Sequence, residues 1–147
     1  MARVREAMSA RVITLSPNDS VKRAAELMHD HDIGALPVVG NDGELIGIVT
    51  DRDIVIRSVR IGSSGDVRVR DVMTPNPHTI HPDASTREVA KIMSERQIRR
   101  LPVVEQNRLV GIIAVKDLTE HGESMKYVDT VIREVSENGA EHRAEIH

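Results

Sequence analysis

A hydroxyl and a carboxylate stand where an apolar run ends near residue 50. Residues 45–49 are typical of a strand, Thr50 follows it, and Asp53 comes three residues later, where apolar residues resume. A strand end beside a helix N-terminus offers free backbone N–H groups. A hydroxyl there can bond a phosphate or sugar oxygen, and a carboxylate one turn on can accept hydrogen bonds from a ribose diol. The spacing therefore indicates a nucleotide-binding edge.

The same residues also have a purely structural interpretation. Thr50 or Asp51 can cap the helix, and Asp53 can lie in the first turn to compensate the helix dipole. The stretch taken alone does not separate these two interpretations.

The chain contains an internal sequence repeat whose matches share one register. Residues 4–9 return as 69–74, residues 36–39 return as 101–104, and, after a one-residue deletion, residues 45–53 return as 109–117. We call residues 4–61 repeat 1 and residues 69–122 repeat 2, with a linker at 62–68. The sequence also predicts a helix over 123–137 and a flexible tail over 138–147.

Each repeat is predicted to be β-α-β-β-α. The predicted elements are strands at 12–15 and 78–80, helices from Ser20 to about His31 and from Ser85 to about Arg96, strands at 36–39, 45–49, 101–104 and 109–113, and a last helix after each third strand. The helix faces expected in the core are Val21, Ala24, Ala25 and Met28 in repeat 1, and Val89, Ile92 and Met93 in repeat 2. One such unit is too small to bury its own sheet well. We therefore expect an α/β (α+β) fold in which two copies pack with pseudo-twofold symmetry.

Composition excludes several classes of function. The net charge of −3 and the single aromatic residue, a tyrosine, argue against a nucleic-acid partner, which needs a basic surface or stacking rings. The absence of cysteine excludes disulfides and thiolate metal sites. No apolar run reaches the length of a membrane span, and the N-terminus lacks the apolar core of a signal peptide, so we expect a cytoplasmic protein.

With both repeats in view, the chain resembles a stand-alone pair of CBS domains, or Bateman module, over about residues 4–120. The residues that carry the resemblance are the paired methionine openings, the Leu-Pro-Val-Val strands and the two strand ends that run from glycine to aspartate. Small actinobacterial hypoxia- or stress-type proteins are similar. The resemblance implies a regulatory sensor of AMP, ADP, ATP or S-adenosylmethionine that acts through a partner protein, and not an enzyme.

The resemblance also implies which residues line two clefts. The first cleft would take Thr50 on phosphate or ribose and Asp53 on the ribose hydroxyls, and it would comprise Ile48, Thr50, Asp53, His78, Thr79, Ile80 and Ile98. The second would comprise Thr14, Ile33, Ala35, Arg99, Arg100, Ile112 and Asp117.

The second cleft departs from the family pattern. Ala114 stands where the hydroxyl should be, whereas Arg99 and Arg100 stand where family members place phosphate-binding residues. A lost neutral hydrogen bond costs roughly 0.5–1.5 kcal/mol, and a charge-assisted contact to phosphate contributes roughly 1.5–3 kcal/mol. Both clefts thus stay open as sites, with the first favoured by its motif. Alternatively, the two arginines only pair with surface carboxylates.

No catalytic or metal constellation appears in the sequence. Residues 29–32 alternate histidine and aspartate, but neighbours two apart on a helix do not share a face, and the pair His78 and His81 lacks a second ligand set. The alternative to a sensor is a structural CBS scaffold with vestigial clefts.

A homodimer is expected from the last helix of repeat 1. Its apolar residues exceed what one helix face can bury; they are Ile54, Val55, Ile56, Val59 and Ile61.

Overall fold

The computed structural model describes residues 2–120. The helices are α1 (Val4–Ala7), α2 (Val21–His31), α3 (Asp51–Ile54), α4 (Val69–Val72), α5 (Thr86–Arg96) and α6 (Val115–Glu120), and a π-helical turn, Val55–Val59, continues α3. The strands are β1 (Ala35–Val39), β2 (Leu45–Thr50), β3 (Thr74–Pro75), β4 (Arg100–Glu105) and β5 (Arg108–Ala114). The helix predicted at 123–137 and the tail at 138–147 lie outside the described residues.

The two long helices begin and end where the sequence predicts. The Ser20 hydroxyl accepts the Arg23 N–H at 3.0 Å, and the Ser85 hydroxyl accepts the Glu88 N–H at 3.1 Å, so each serine caps its helix. Asp32 and Gln97 adopt left-handed backbone angles, with φ of 52° and 57°, and end α2 and α5. One detail of α2 was predicted wrongly: Ala25 is exposed, because the buried face of the helix comprises Val21, Ala24 and Met28, with the half-buried Leu27 beside them.

The central strands form two small sheets. Strand β1 pairs antiparallel with β2, so that Leu36 lies opposite Val49, and β3 adds to the other edge of β2. Strands β4 and β5 form a two-stranded sheet.

The first strand of each repeat is not a regular strand, contrary to the prediction. Only single residues pair, Leu15 with Val38 and Ile80 with Val103, both in parallel. The chain turns immediately afterwards: the Asp19 carboxylate accepts the Ser16 N–H at 2.8 Å, and the turn leads straight to the helix cap.

Packing divides the chain into two units. The leading segment of each repeat, which contains α1 in repeat 1 and α4 in repeat 2, packs in the unit of the other repeat. The repeat-1 unit comprises residues 12–77 and 106–109, and it includes α4 from the start of repeat 2. The repeat-2 unit comprises, in its described part, residues 2–11, 78–105 and 110–120, and it includes α1 from the start of repeat 1. The sequence repeats and the packed units therefore divide the chain differently.

Each unit has its own aliphatic core. Leu36, Val38 and Val49 are fully buried in the repeat-1 unit, as are Leu101, Val103 and Ile113 in the repeat-2 unit. These branched side chains fill the interior without any aromatic ring, as the composition predicts. Between residues 2 and 120, no helix has both the length and the apolar character that crossing a bilayer requires.

Candidate functional site

Thr50 and Asp53 hold each other at the end of β2. The Asp53 N–H donates to the Thr50 hydroxyl at 3.0 Å, and the Thr50 N–H donates to Asp53 Oδ2 at 3.0 Å. This reciprocal pair is a capping box on α3, with aspartate where glutamate is usual. Thr74 Oγ1 lies 3.4 Å from Asp53 Oδ1. The structural interpretation of these residues is thus confirmed, and the half-buried carboxylate still has lone pairs free for a ligand.

The start of β1 and the residue before it meet the same edge. Ala35 lies opposite Thr50 in the β1–β2 register, and the Asp51 N–H donates to the Gly34 carbonyl at 3.0 Å. A Cβ added to Gly34 would lie 3.2 Å from Asp51 Oδ2, so the Asp51 carboxylate lies over this glycine. We call Gly34, Ala35, Thr50, Asp51 and Asp53 the repeat-1 edge.

The glycine of each motif is needed for close packing of a leading segment. A Cβ on Gly47 would lie 2.6 Å from Met73 Sδ and 3.0 Å from the Thr74 carbonyl oxygen. At Gly111 the corresponding distances are 2.6 Å to Met8 Sδ and 2.9 Å to the Ser9 carbonyl oxygen. Neither site accepts a side chain without displacing backbone.

The equivalent edge of repeat 2 keeps half of this arrangement. The Ala114 N–H donates to Asp117 Oδ2 at 2.8 Å, but alanine offers no oxygen to accept the Asp117 N–H. The Val115 N–H donates to the Arg99 carbonyl at 3.1 Å, as Asp51 does to Gly34. We call Arg99, Arg100, Ala114, Val115 and Asp117 the repeat-2 edge.

The two arginines of the repeat-2 edge are available to a ligand. Arg99 is exposed and Arg100 is half-buried. Neither forms an ion pair with any residue in the part of the chain that the structure describes. The alternative that they simply pair with surface carboxylates therefore finds no support among residues 2–120.

The two units group the predicted cleft residues differently from the two predicted clefts. Thr14, Ile33, Ala35, Ile48, Thr50 and Asp53 all belong to the repeat-1 unit, and His78, Thr79, Ile80, Ile98, Arg99, Arg100, Ile112 and Asp117 all belong to the repeat-2 unit. His78 and Thr79 are exposed, Ile80 is buried, and Thr14, Ile33, Ile48, Ile98 and Ile112 are half-buried. The assignment of these residues to a first and a second cleft stays a prediction.

A charged cluster in the repeat-2 unit was not predicted. His81, Asp83 and Glu105 each offer a ligand atom within 4.8 Å of the others, although no partners for His81 were expected from the sequence. The Arg5 guanidinium lies 2.9 Å from Asp83 Oδ1 and 3.8 Å from Glu105 Oε1. Its hydrogen bond lowers the pKa of Asp83, and the same bond raises the pKa of Arg5. Arg5 pairs with both carboxylates, so the cluster is an ion-pair network; only the fold brings Glu105 beside His81.

An exposed apolar patch follows α3. Val55, Val59 and Ile61 are 53%, 62% and 63% exposed, and Ile56 is 38% exposed, whereas Ile54 packs on the core. The prediction that this segment has more apolar surface than the domain buries is confirmed. We call Val55, Ile56, Val59 and Ile61 the apolar patch.

Sequence comparison identifies the repeats. A model of the CBS domain matches residues 4–60 and 69–124. The CBS domain-containing protein YhcV of Bacillus subtilis is 39% identical over 136 residues, covering 92% of this chain and 96% of YhcV. Hypoxic response protein 1 of Mycobacterium tuberculosis is 36% identical over 122 residues, covering 82% of this chain and 85% of that protein. Inosine-5'-monophosphate dehydrogenase of Korarchaeum cryptofilum is 42% identical over 108 residues, covering 73% of this chain but 21% of the enzyme.

Solved structures show the same fold. A crystal structure of Hypoxic Response Protein I with two coordinated zinc ions has a TM-score of 0.76 at 35% identity, covering 83% of this chain and all of that one. CBSX2 in complex with AMP has a TM-score of 0.75 at 27% identity, over 82% and 96% of the chains. The CBS domain pair of MJ0100 in complex with 5'-methylthioadenosine and S-adenosyl-L-methionine has a TM-score of 0.70 at 32% identity, over 82% and 95%.

Proposed function

The chain belongs to the CBS-domain family, and we propose that it is a non-catalytic sensor of adenosyl ligands that signals through a partner protein. The observation that carries the proposal is the pair of strand-end carboxylates. Asp53 and Asp117 occupy the same position in the two repeats, and each is fixed by a backbone N–H, at 3.0 Å and 2.8 Å. A fixed carboxylate with free lone pairs suits a ribose diol, which presents two donors side by side.

The surroundings of both carboxylates suit adenosine. Half-buried isoleucines occur in both units, Ile33 and Ile48 with Asp53, and Ile98 and Ile112 with Asp117. Aliphatic side chains can pack on the faces of an adenine ring and exclude water. The relatives crystallised with AMP, 5'-methylthioadenosine and S-adenosyl-L-methionine support the same ligand class.

We propose that each edge is assembled within its own unit. Ala35 lies opposite Thr50, and the Arg99 carbonyl bonds the backbone two residues before Asp117. Ala35 is therefore better placed for the edge of Asp53 than for that of Asp117, and Arg99 for the edge of Asp117.

The proposed output requires a second protein and a change of arrangement. A ligand shifts an equilibrium only to the extent that it binds one arrangement more tightly than another. We propose that ligand occupancy is read out through a homodimer formed by the apolar patch.

Isothermal titration calorimetry with AMP, ATP and S-adenosylmethionine tests the function. Saturable binding that Asp53→Ala or Asp117→Ala weakens by at least about tenfold supports it, because charged hydrogen bonds contribute roughly 1.5–3 kcal/mol each. An absence of heat and of any thermal shift with all three ligands would contradict it.

A second candidate function is a structural CBS scaffold. The observation that favours it is that Thr50 and Asp53 already satisfy each other as a helix cap, so both can be explained without a ligand. Ala114 adds to this, since repeat 2 lacks the hydroxyl. Full-strength dimerisation without ligand binding would support the scaffold.

A further inference from the structure

The helix that carries the apolar patch changes its hydrogen-bond register after Ile54. Residues Asp51–Ile54 are α-helical, whereas Val55–Val59 form a π-helical turn in which the Arg60 N–H donates to the Val55 carbonyl, five residues back, at 2.8 Å. A π-turn holds one residue more than an α-turn, and each α-helical residue advances the chain by roughly 100° about the helix axis. The direction in which the patch faces therefore depends on which register this turn adopts.

Arg57, in the middle of the π-helical turn, binds the leading segment of repeat 2. Its Nη1 donates to the Val72 carbonyl at 3.2 Å and to the Met73 carbonyl at 2.9 Å. These carbonyls lie at the C-terminal end of α4, where backbone acceptors lack helical partners and a cation is favoured. The guanidinium thus ties the turn that orients the patch to the segment that leads into β3.

The same segment reaches the carboxylate of the repeat-1 edge. Thr74 pairs with Ile48 in the β2–β3 register, and its hydroxyl lies 3.4 Å from Asp53 Oδ1 and 3.5 Å from Asp53 Oδ2. A ribose diol held by Asp53 would share the acceptor oxygens that the Thr74 hydroxyl contacts. Met73 and Thr74 are neighbours in the chain, so a shift of Thr74 also moves a carbonyl that Arg57 binds.

The equivalent contact is missing from the repeat-2 edge. Ser9 occupies the position of Thr74, but among residues 2–120 its hydroxyl bonds the Arg11 carbonyl, at 3.4 Å, and not the Asp117 carboxylate. The position of Arg57 falls on His121, which lies outside the described residues. The described contacts therefore link Asp53, and not Asp117, to a leading segment through a side chain.

We propose that Arg57 is a positioning residue that couples the Asp53 carboxylate to the apolar patch, with the π-helical turn as the element that changes register. The inference deepens the proposed function and rests on it, since it states how occupancy of one edge reaches the dimer surface. A ligand on Asp53 that displaces Thr74 moves the carbonyls that hold Arg57, and so favours one register over the other. Ligand binding and dimerisation then change each other's affinity by the same factor.

Linkage between ligand and dimer tests the coupling in the full chain. Sedimentation velocity gives the dimer dissociation constant without ligand, with saturating AMP, and with saturating S-adenosylmethionine. We expect the ligand that Asp53 binds to change this constant by at least about fivefold in the wild type, and Arg57→Met to reduce the change to less than about twofold. Arg57→Lys keeps a cationic donor for the two carbonyls and should restore part of the change.

The matched control is Arg60→Met, which removes the same charge beside the same turn. Arg60 Nε donates to the Ile56 carbonyl at 3.1 Å, inside its own helix. Arg60→Met should therefore retain the fivefold change. Unchanged circular dichroism establishes that each variant folds.

Amide hydrogen exchange provides a readout that does not require a dimer. The Arg60 and Ser63 amides donate to carbonyls five residues back, on Val55 and Ser58, so their exchange rates follow the register. At a protein concentration below the dimer dissociation constant, we expect the ligand to change these rates in the wild type and in Arg60→Met. In Arg57→Met the ligand should leave them unchanged.

The outcomes separate this coupling from the sensor itself. If AMP or S-adenosylmethionine binds and Asp53→Ala weakens it, but neither the dimer constant nor the exchange rates respond to the ligand, the coupling is overturned and the sensor stands. A response that survives in Arg57→Met, or that is lost equally in Arg60→Met, overturns it as well, and so does binding that depends on Asp117 alone. If neither ligand binds the wild-type chain, both proposals fall.

Discussion

The Arg5 guanidinium donates two hydrogen bonds to Asp83 Oδ1, from Nε at 3.2 Å and from Nη2 at 2.9 Å. Arg5 lies on α1 at the start of repeat 1, and Asp83 lies before α5 in repeat 2, so the pair joins an exchanged leading segment to the unit that receives it. Among residues 2–120, the other leading segment forms no such pair. Asn18 stands where Asp83 would be, and it receives only a hydrogen bond to its carbonyl, from Arg68.

This asymmetry predicts a dependence of stability on pH. The Arg5 hydrogen bond lowers the pKa of Asp83 below its ordinary value of 3.8. The stabilisation is therefore complete above that value, and it is lost as the pH falls through the lower pKa of the folded state. We expect Asp83→Asn to melt slightly below the wild type at pH 7 and the difference to vanish in acid. Melting temperatures from pH 7 to about pH 2.5 measure this effect.

The control is Asp66→Asn, since the exposed Asp66 has no ion pair with any described residue. Its difference from the wild type should not follow the Asp83 profile. A gap that stays constant into acid for Asp83→Asn would rule out the ion pair as the cause.

The motif glycines should resist substitution even in the absence of ligand. Gly111→Ala puts a Cβ within 2.9 Å of the Ser9 carbonyl oxygen, and Gly47→Ala puts one within 3.0 Å of that of Thr74. Overpacking of this kind costs typically about 1–3 kcal/mol. Urea denaturation should show that loss for both variants.

Gly62→Asn is the matched control for these two variants. A Cβ at Gly62 meets nothing within 4 Å, so any loss there comes from its φ of +78° alone, a strain that is smaller for asparagine than for most side chains. Equal stability of Gly111→Ala and the wild type would show that the leading segment is not held against this glycine.

The incomplete cap of repeat 2 can be repaired. Ala114→Thr supplies the missing acceptor for the Asp117 N–H, which Thr50 supplies to Asp53 at 3.0 Å. A helix cap contributes about 0.5–2 kcal/mol, so we expect a gain of that order for Ala114→Thr and a similar loss for Thr50→Ala. Chemical denaturation of the two variants measures both changes in the free energy of unfolding. A loss of stability for Ala114→Thr would show that the two edges differ in more than the one missing capping hydrogen bond.

The apolar patch should control association. Val59 is 62% exposed, and a carboxylate placed there would be desolvated if the patch is buried between two copies. We expect the wild type to be dimeric at micromolar concentration and Val59→Asp to be monomeric, by light scattering. Ala25→Asp, on the exposed face of α2, should leave the dimer intact. A monomeric wild type would refute the dimer.

The binding residues can be checked by loss of affinity at each carboxylate separately. Asp53→Ala and Asp117→Ala should each weaken the adenosyl ligand held at that carboxylate by at least about tenfold. Asp53→Asn and Asp117→Asn keep the shape and one acceptor oxygen but not the charge. Calorimetric loss in the alanine variants without loss in either asparagine variant would show that the carboxylate charge is not needed for binding.

Local signals in the sequence predicted the local structure well. Ser20 and Ser85 indicated where two helices begin, and the repeated Leu-Pro-Val-Val runs gave two buried strands, because caps and apolar runs depend on near neighbours. The repeat likewise led to the CBS family, which the family match at residues 4–60 and 69–124 confirms. The resemblance to hypoxia-type proteins is confirmed as well.

What the sequence did not predict depends on distant contacts. Leu15 and Ile80 each form a single bridge, with Val38 and Val103, and no regular strand, and this pairing is with residues more than 20 positions away. The π-helical turn after Ile54 has no local signature. The cluster around Arg5 forms because α1 packs in the repeat-2 unit. The sequence repeat assigns α1 to repeat 1, so the repeat alone does not predict this contact.

The exchange of leading segments has a consequence for dissecting the molecule. Cutting the polypeptide in the linker at 62–68 yields two halves, each of which carries the segment that completes the other, because α1 packs in the repeat-2 unit and α4 in the repeat-1 unit. Two such fragments should therefore reconstitute when mixed, although either one alone would be an incomplete domain. A circular permutant that begins at residue 12 and carries residues 2–11 after the last residue would likewise change the order of the segments along the chain. It would remove no segment from either core.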